Sequence, residues 1–130
     1  MKKLSILSLV VFFALAACEK EKDVVSLSLK GIWTVENTTI KEYLNNALDN
    51  TYIEPGNGAT MDFQNNGHVV ITYPGNSVES LNYEIKPDSK VEIDGDIFEI
   101  RNLAASNVTL FLREDYAPGE YDEVYINLKR

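Results

Sequence analysis

The stretch "ATMDFQNNGHVVITY", residues 59–73, decides the fold class. Met61 and Phe63 are two positions apart, and so are Val69 and Ile71, which is the period of a β-strand with one apolar face. Between the two pairs, the sequence QNNG supplies residues that tolerate the positive φ of a tight turn. Strands joined by so short a turn are antiparallel. The stretch therefore predicts a β-hairpin.

The same pattern continues on both sides of this hairpin. Short turn signals, "PGN" (74–76), "KPDS" (86–89) and "DG" (94–95), separate further runs of alternating residues. Eight candidate strands result: 32–37, 59–63, 68–73, 81–85, 91–93, 97–101, 107–113 and 121–129. From the second strand onward the connections leave no room for crossover helices, so the strands form a meander. We therefore expect an all-β fold, an eight-stranded antiparallel up-and-down barrel, because closure removes both sheet edges.

The connection between the first two strands, residues 38–58, is the longest in the chain. Its apolar residues Ile40, Tyr43, Leu44, Ala47 and Leu48 recur at helical spacing, which favours a short amphipathic helix. A long irregular loop or a ninth strand segment remains an equal alternative. Long connections in compact domains often carry function, so we expect this segment to act as a lid.

The N-terminus has the features of a secretory signal. A positive start, Met1–Lys3, precedes the apolar run Leu4–Leu15, which is too short to span a bilayer as a mature helix. The following "LAAC" (15–18) resembles the lipobox of bacterial lipoproteins. The resemblance implies cleavage before Cys18, acylation of that residue and a membrane anchor made of several acyl chains. The alternative is an ordinary signal peptide with a stray cysteine.

This interpretation divides the chain into a cleaved signal peptide (1–17), a charged tether (18–28) and a barrel domain (29–130). Cys18 is the only cysteine, so a disulfide within the chain is excluded. The tether sequence "EKEKD" (19–23) resembles the acidic export signal of surface lipoproteins of the Bacteroidota. We therefore expect an outer-membrane protein that is exposed on the cell surface, with a periplasmic location as the alternative.

The charge balance excludes one class of partner. Removal of the signal peptide takes away Lys2 and Lys3 and changes the formal net charge from −8 to −10. Nucleic acids bind clustered Lys and Arg, so we expect no nucleic-acid partner. Anionic lipid would also repel the domain, which leaves the acylated Cys18 as the contact with the membrane.

Two motifs at the ends of the barrel domain resemble the lipocalins. Gly31-Ile32-Trp33 on the first strand matches the G-x-W motif of that family, in which a basic residue of the last strand lies over the Trp. Arg130, or its neighbour Lys129, has that position here. The resemblance covers residues 29–130 and is closest to the small lipocalin-like lipoproteins of the Bacteroidota. It implies a barrel that binds a small ligand at its mouth.

No catalytic constellation is present, so we expect neither an enzyme nor a cofactor. His68 follows a turn, and Asp94-Gly95-Asp96 is better explained as a hairpin turn than as a calcium or other metal site. Five carboxylates flank the last turn, where we expect a solvated loop: Glu114, Asp115, Glu120, Asp122 and Glu123.

Successive turns of a meander alternate between the two ends of the barrel. Three of the longer connections, "NTYIEPGNG", "YPGNSVES" and "DYAPGEY", therefore share the end that faces away from the tether. They carry Tyr52, Tyr73, Tyr116 and Tyr121, which we predict to be ligand-binding residues. The alternative is that these tyrosines cap the core.

Two functions follow from these observations. One is a monomeric protein that binds a small apolar or amphipathic ligand, or a glycan, at the barrel mouth. The other is a protein–protein interaction module with a filled core, similar to the small barrel lipoproteins that inhibit lysozyme.

Overall fold

A computed structural model describes residues 24–26 and 28–130 of the chain. The predicted signal peptide, Cys18 and most of the predicted tether lie outside these residues. The described part contains nine strands: β1 (Gly31–Leu44), β2 (Ala47–Pro55), β3 (Thr60–Phe63), β4 (His68–Thr72), β5 (Val78–Lys86), β6 (Lys90–Ile93), β7 (Asp96–Arg101), β8 (Asn107–Ala117) and β9 (Glu120–Lys129).

The hairpin predicted from residues 59–73 is confirmed. β3 and β4 pair antiparallel, with Phe63 opposite Val69 and Met61 opposite Ile71. Within the turn, the backbone N–H of His68 donates to Asn66 Oδ1 at 3.0 Å. Phe63 and Val69 are fully buried, so the alternating residues face the core.

The sheet closes into a barrel, as predicted. Each strand from β3 to β9 pairs antiparallel with the next, β1 pairs with β3, and β9 pairs with β1. These eight strands form the closed barrel, and β2 is an additional strand on β1. Its pairing with β1 is antiparallel as well.

The prediction of a helix within residues 38–58 is wrong, and the alternative of a ninth strand is correct. β1 continues to Leu44, and β2 returns beside it after Asn45 and Asn46, which both have positive φ as in a type I′ turn. β9 pairs with the whole upper part of β1, from Asn37 to Tyr43. Pairing on both edges of β1 therefore overrides the helical spacing of its apolar residues.

β2 and β3 follow one another along the same edge of β1. β2 pairs with residues 37–44 and β3 with residues 31–34, and the chain between them turns against Val35. The Gly56 N–H donates to Glu36 O, and a Cβ at Gly56 would overlap the Val35 carbonyl oxygen. Only glycine fits this approach of two backbones.

Beyond the turn at Gly56, on the side of the β1–β2 and β8–β9 hairpin tips, four strands pair only with one another. We call this four-stranded sheet the extension; it comprises residues 37–55 and 112–126, in the order β2-β1-β9-β8. Its two hairpin tips touch, since the Asn46 N–H donates to Gly119 O at 3.0 Å. The extension stands at the end of the barrel that also carries the β4–β5 turn.

The opposite end of the barrel is closed. Trp33 is fully buried, and its Nε1 donates to Leu29 O at 2.8 Å. Leu29 and Val25, from a short helical segment before β1, belong to the same core. Val25, which belongs to the predicted tether, therefore packs against the barrel. Among the described residues, no helix is long and apolar enough to cross a membrane.

The Arg130 guanidinium covers this closed end. Its Cζ lies 3.9 Å from the centroid of the Trp33 ring, and its nitrogens donate to the carbonyl oxygens of Ser28 and Lys30, both at 2.7 Å. Gly31 has a φ of 104°, and a Cβ there would lie 3.3 Å from Arg130 Nη1. The structure thus brings together the three residues that carry the lipocalin resemblance.

Candidate functional site

The extension has two faces, which the strand register defines. Leu128 and Val108 are opposite each other in the core, and every second residue above them continues the barrel interior. We call this side the inner face and the other the outer face. The inner-face residues of the extension include Thr38, Ile40, Glu42, Leu44, Ala47, Asn50, Tyr52, Glu54, Leu112, Glu114, Tyr116, Asp122, Val124 and Ile126.

An apolar cleft opens where the inner face meets the barrel mouth. Its volume is about 390 Å³. The cleft lies over core residues of β1, β3 and β4, and Tyr73 and Glu54 stand at its wall. The lining residues are Val35, Thr38, Glu54, Pro55, Gly56, Ala59, Met61, Ile71, Tyr73, Pro74 and Ile126.

Below the cleft the barrel is filled. Trp33, Phe63 and Leu110 are fully buried there, and the Phe63 and Tyr83 rings meet edge to face at a centroid distance of 5.2 Å. Tyr83 OH donates to Gln64 O at 2.6 Å. Burial raises the pKa of this hydroxyl above 10.0, with the Asp62 charge as a second cause. Space for a ligand is therefore found at the mouth rather than deep in the barrel.

The inner face of the extension is organised in rows across its strands. One row close to the cleft is mostly apolar. It consists of Tyr52, Ile40, Val124 and Leu112. The next row toward the tips is acidic: Asn50, Glu42, Asp122 and Glu114 lie side by side. An apolar surface thus leads from the cleft to three carboxylates.

Tyr116 contacts two carboxylates of the acidic row. Its hydroxyl oxygen lies 2.9 Å from Asp122 Oδ2 and 3.0 Å from Glu114 Oε2. These hydrogen bonds, with Asp122 the larger contributor, raise the pKa of Tyr116 well above 10.0. Every second residue of β8 from Leu112 onward faces inward, and this alternation places Tyr116 on the inner side of the sheet.

The other two tyrosines near the mouth also have polar partners. Tyr73 OH donates to Glu79 Oε2 at 2.7 Å, and this hydrogen bond is the main reason why its pKa is raised. Tyr52 OH accepts from Asn50 Nδ2 at 2.7 Å. Tyr52, Tyr73 and Tyr116 therefore border the mouth and the inner face.

Tyr121 lies on the outer face instead. Its ring stacks on Tyr43 with centroids 4.5 Å apart, and Arg113 Cζ lies 3.7 Å from the Tyr121 centroid. The same face carries Lys41, whose Nζ is 5.2 Å from the Tyr125 centroid. The four predicted tyrosines are thus at one end of the barrel but on two sides of its sheet.

Two further grooves are less suited to an apolar ligand. One, of about 470 Å³, lies against β5 and β6 and is bordered by Asn82, Glu84 and Glu92. The other, of about 340 Å³, lies on the outer face, where its lining includes Lys41 and Arg101. Charged or amide side chains dominate both.

No residues in the described part of the chain form a metal site. Among residues 24–26 and 28–130, no group of three His, Cys, Asp or Glu side chains is placed to hold one metal ion. The three carboxylates of the acidic row are therefore not arranged around one small ion.

No family model matches this chain, and no curated protein matches it either.

Proposed function

We propose that this protein is a lipid-anchored lipoprotein of the outer membrane, exposed on the cell surface, whose lipocalin-like barrel binds a small apolar or amphipathic ligand at its mouth. The observation that carries the binding function is the open apolar cleft of about 390 Å³ over Met61, Ile71 and Ile126. Apolar clefts of this size with a few polar groups at the rim are typical of ligand sites.

The position of the N-terminal segment supports the orientation in this proposal. Leu29 and Val25 pack at the closed end, near Trp33. A tether from an acylated Cys18 would leave the domain at that end. The mouth would then face away from the membrane and be open to ligands from outside.

Binding of the neutral fluorophore N-phenyl-1-naphthylamine to the purified protein tests the cleft. We expect its fluorescence to increase, and we expect Thr38→Phe to abolish the increase because Thr38 lines the cleft. Thr39→Phe is the matched control, since Thr39 is the next residue of β1 and lies on the outer face. Equal binding by both variants would contradict a site in the cleft.

The filled lower barrel favours the second function, an interaction or inhibitor module. Fully buried Phe63 and Leu110 leave a close-packed interior, as in a barrel that acts through its loops. Native mass spectrometry of protein extracted gently from its own cells separates the two functions. A bound small molecule supports the first, whereas a bound protein together with no fluorophore binding supports the second.

A further inference from the structure

The two faces of the extension differ in charge. Within residues 37–55 and 112–126 the cations are Lys41 and Arg113, and the register places both on the outer face. There Arg113 pairs with Asp115, and its Nη2 is 2.9 Å from Asp115 Oδ1. The inner face of the extension carries Glu42, Glu54, Glu114 and Asp122 without a cation.

The acidic row places like charges directly opposite one another. Glu42 and Asp122 are register partners on β1 and β9, and Asp122 and Glu114 are partners on β9 and β8. Like charges opposite each other destabilise a sheet. Among the described residues, the ion pairs of the structure include none of these three carboxylates.

The contacts of Tyr116 show the same excess of negative charge. Its hydroxyl has one proton, yet carboxylate oxygens of Asp122 and Glu114 lie at 2.9 and 3.0 Å from it. A single proton cannot give both carboxylates a full hydrogen bond. Their negative charge is therefore only partly compensated at this position, and a positively charged group would compensate it.

We infer that the ligand of this barrel is an amphipathic organic cation, with its apolar body in the cleft and its ammonium group at the row of Glu42, Asp122 and Glu114. This inference rests on the proposed function, because it assigns a ligand class to the same site. The apolar row with Ile40 and Val124 continues the cleft as far as the carboxylates. An elongated molecule therefore contacts apolar surface along its body and negative charge at its head.

The aromatic residues suit the same ligand. Tyr52 belongs to the apolar row, and Tyr116 stands beside two of the carboxylates. The face of a tyrosine ring attracts a cation within about 6 Å of its centroid. An ammonium group can therefore contact both an aromatic face and a carboxylate, whereas an anionic or neutral head group cannot use both.

Isothermal titration calorimetry of the purified protein with octylammonium, octanol and octanoate tests this inference, because the three probes share one alkyl chain. We expect octylammonium to bind about tenfold more tightly than octanol, as expected for a cation near two or more carboxylates. We expect octanoate to bind most weakly. The advantage of octylammonium over octanol should decrease at high salt.

The variant Glu42→Gln/Glu114→Gln keeps Asp122 as acceptor for Tyr116 and removes two charges from the row. We expect it to lower octylammonium affinity to that of octanol while octanol affinity is unchanged. Asp88→Asn/Asp94→Asn is the matched control, since it removes two exposed charges from turns outside the extension. It should leave the affinity for both probes unchanged.

Each other result contradicts the inference in a distinct way. Equal affinity for octylammonium and octanol, or no effect of Glu42→Gln/Glu114→Gln, overturns the cation and leaves the apolar site of the proposed function intact. Octylammonium binding that persists in Thr38→Phe shows adsorption to surface charge alone and also overturns it. Absence of binding by octylammonium and octanol alike overturns the proposed function and this inference together.

Discussion

Trp33 has a specific partner for each part of its indole. The ring is fully buried, its N–H donates to Leu29 O, and the Arg130 guanidinium lies over its face. Arg130 is itself fixed by donating to the carbonyl oxygens of Ser28, Lys30 and Ala105. Trp33 and Arg130 together therefore join the first strand, the last strand and the segment before β1.

Trp33→Ala should lower the free energy of unfolding by about 3–5 kcal/mol, because it removes a large buried side chain and leaves a cavity. Arg130→Ala should cost much less, about 1 kcal/mol, because a cation over a ring face at the protein surface and its exposed hydrogen bonds contribute modestly. Urea unfolding followed by circular dichroism measures both. Equal losses for the two variants would contradict the smaller contribution expected of the guanidinium.

The hydroxyl of Tyr116 gives a prediction for alkaline pH. Its pKa in the folded protein is raised by Asp122 and Glu114, so its contribution to stability is complete below the ordinary pKa of 10.0. The contribution is lost as the pH rises through the higher folded value, because the phenolate no longer donates. In a spectrophotometric titration, Tyr116→Phe should remove one tyrosine that ionises late. An unchanged number of late tyrosines would contradict these hydrogen bonds.

At the scale of elements, the β1–β2 hairpin is the part of the fold for which the local sequence pattern left a helix and a strand as alternatives. Residues such as Thr38 and Thr39 favour a strand, whereas the spacing of Ile40, Tyr43 and Leu44 also fits a helix. Pairing with β9 decides between the two, and β9 is far away in sequence. Local patterns predicted the hairpins from β3 to β9 because each of these strands pairs with its neighbour.

Which residues form the inner face could not be predicted from the local sequence either. Its composition depends on β-bulges near Glu36 and Glu42, since each extra residue moves the side chains that follow to the other side of the sheet. The alternation of β8 and β9 places Tyr116 and Tyr121 on opposite sides of the sheet, although both were predicted as site residues. The carboxylates Glu114 and Asp122, expected in a solvated loop, are strand residues paired across β8 and β9.

The close approach of two backbones between β2 and β3 can be tested by a substitution at Gly56, with a control substitution in the same loop. Gly56→Ala should destabilise the protein by about 3 kcal/mol or more, because its Cβ would overlap the backbone of Val35. Gly58→Ala should cost only about 1–2 kcal/mol, since its Cβ meets no atom within 4 Å and the penalty is its positive φ of 84°. Thermal unfolding compares them. A smaller loss for Gly56→Ala would mean that the two backbones can separate.

The whole molecule has a closed end, where Trp33 and the N-terminal segment pack, and an open end, where the acidic inner face stands. The sequence predicted this polarity from the alternation of turns. It could not predict the cleft, because the size of an opening depends on how far β1, β2, β8 and β9 extend above their neighbours.

The lipid anchor is tested by Cys18→Ala in the full chain. We expect the native protein in the membrane fraction and the variant in the soluble fraction, because the anchor depends on several acyl chains on this one residue. No other thiol is changed, since Cys18 is the only cysteine. Equal membrane association of the two proteins would contradict the lipoprotein interpretation. Protease added to intact cells then tests the surface location.

The pairing of β1 with β9 also determines when the barrel closes during folding. Thr34 pairs with Lys129 and Tyr43 with Tyr121, so the barrel closes only after nearly all of the domain is available. Contacts between distant residues form slowly because a long loop must first be ordered. Until then β1 and β8 each have an unpaired edge that can join another chain. The interval before β9 arrives is therefore when newly made protein is most prone to aggregate and most in need of a chaperone.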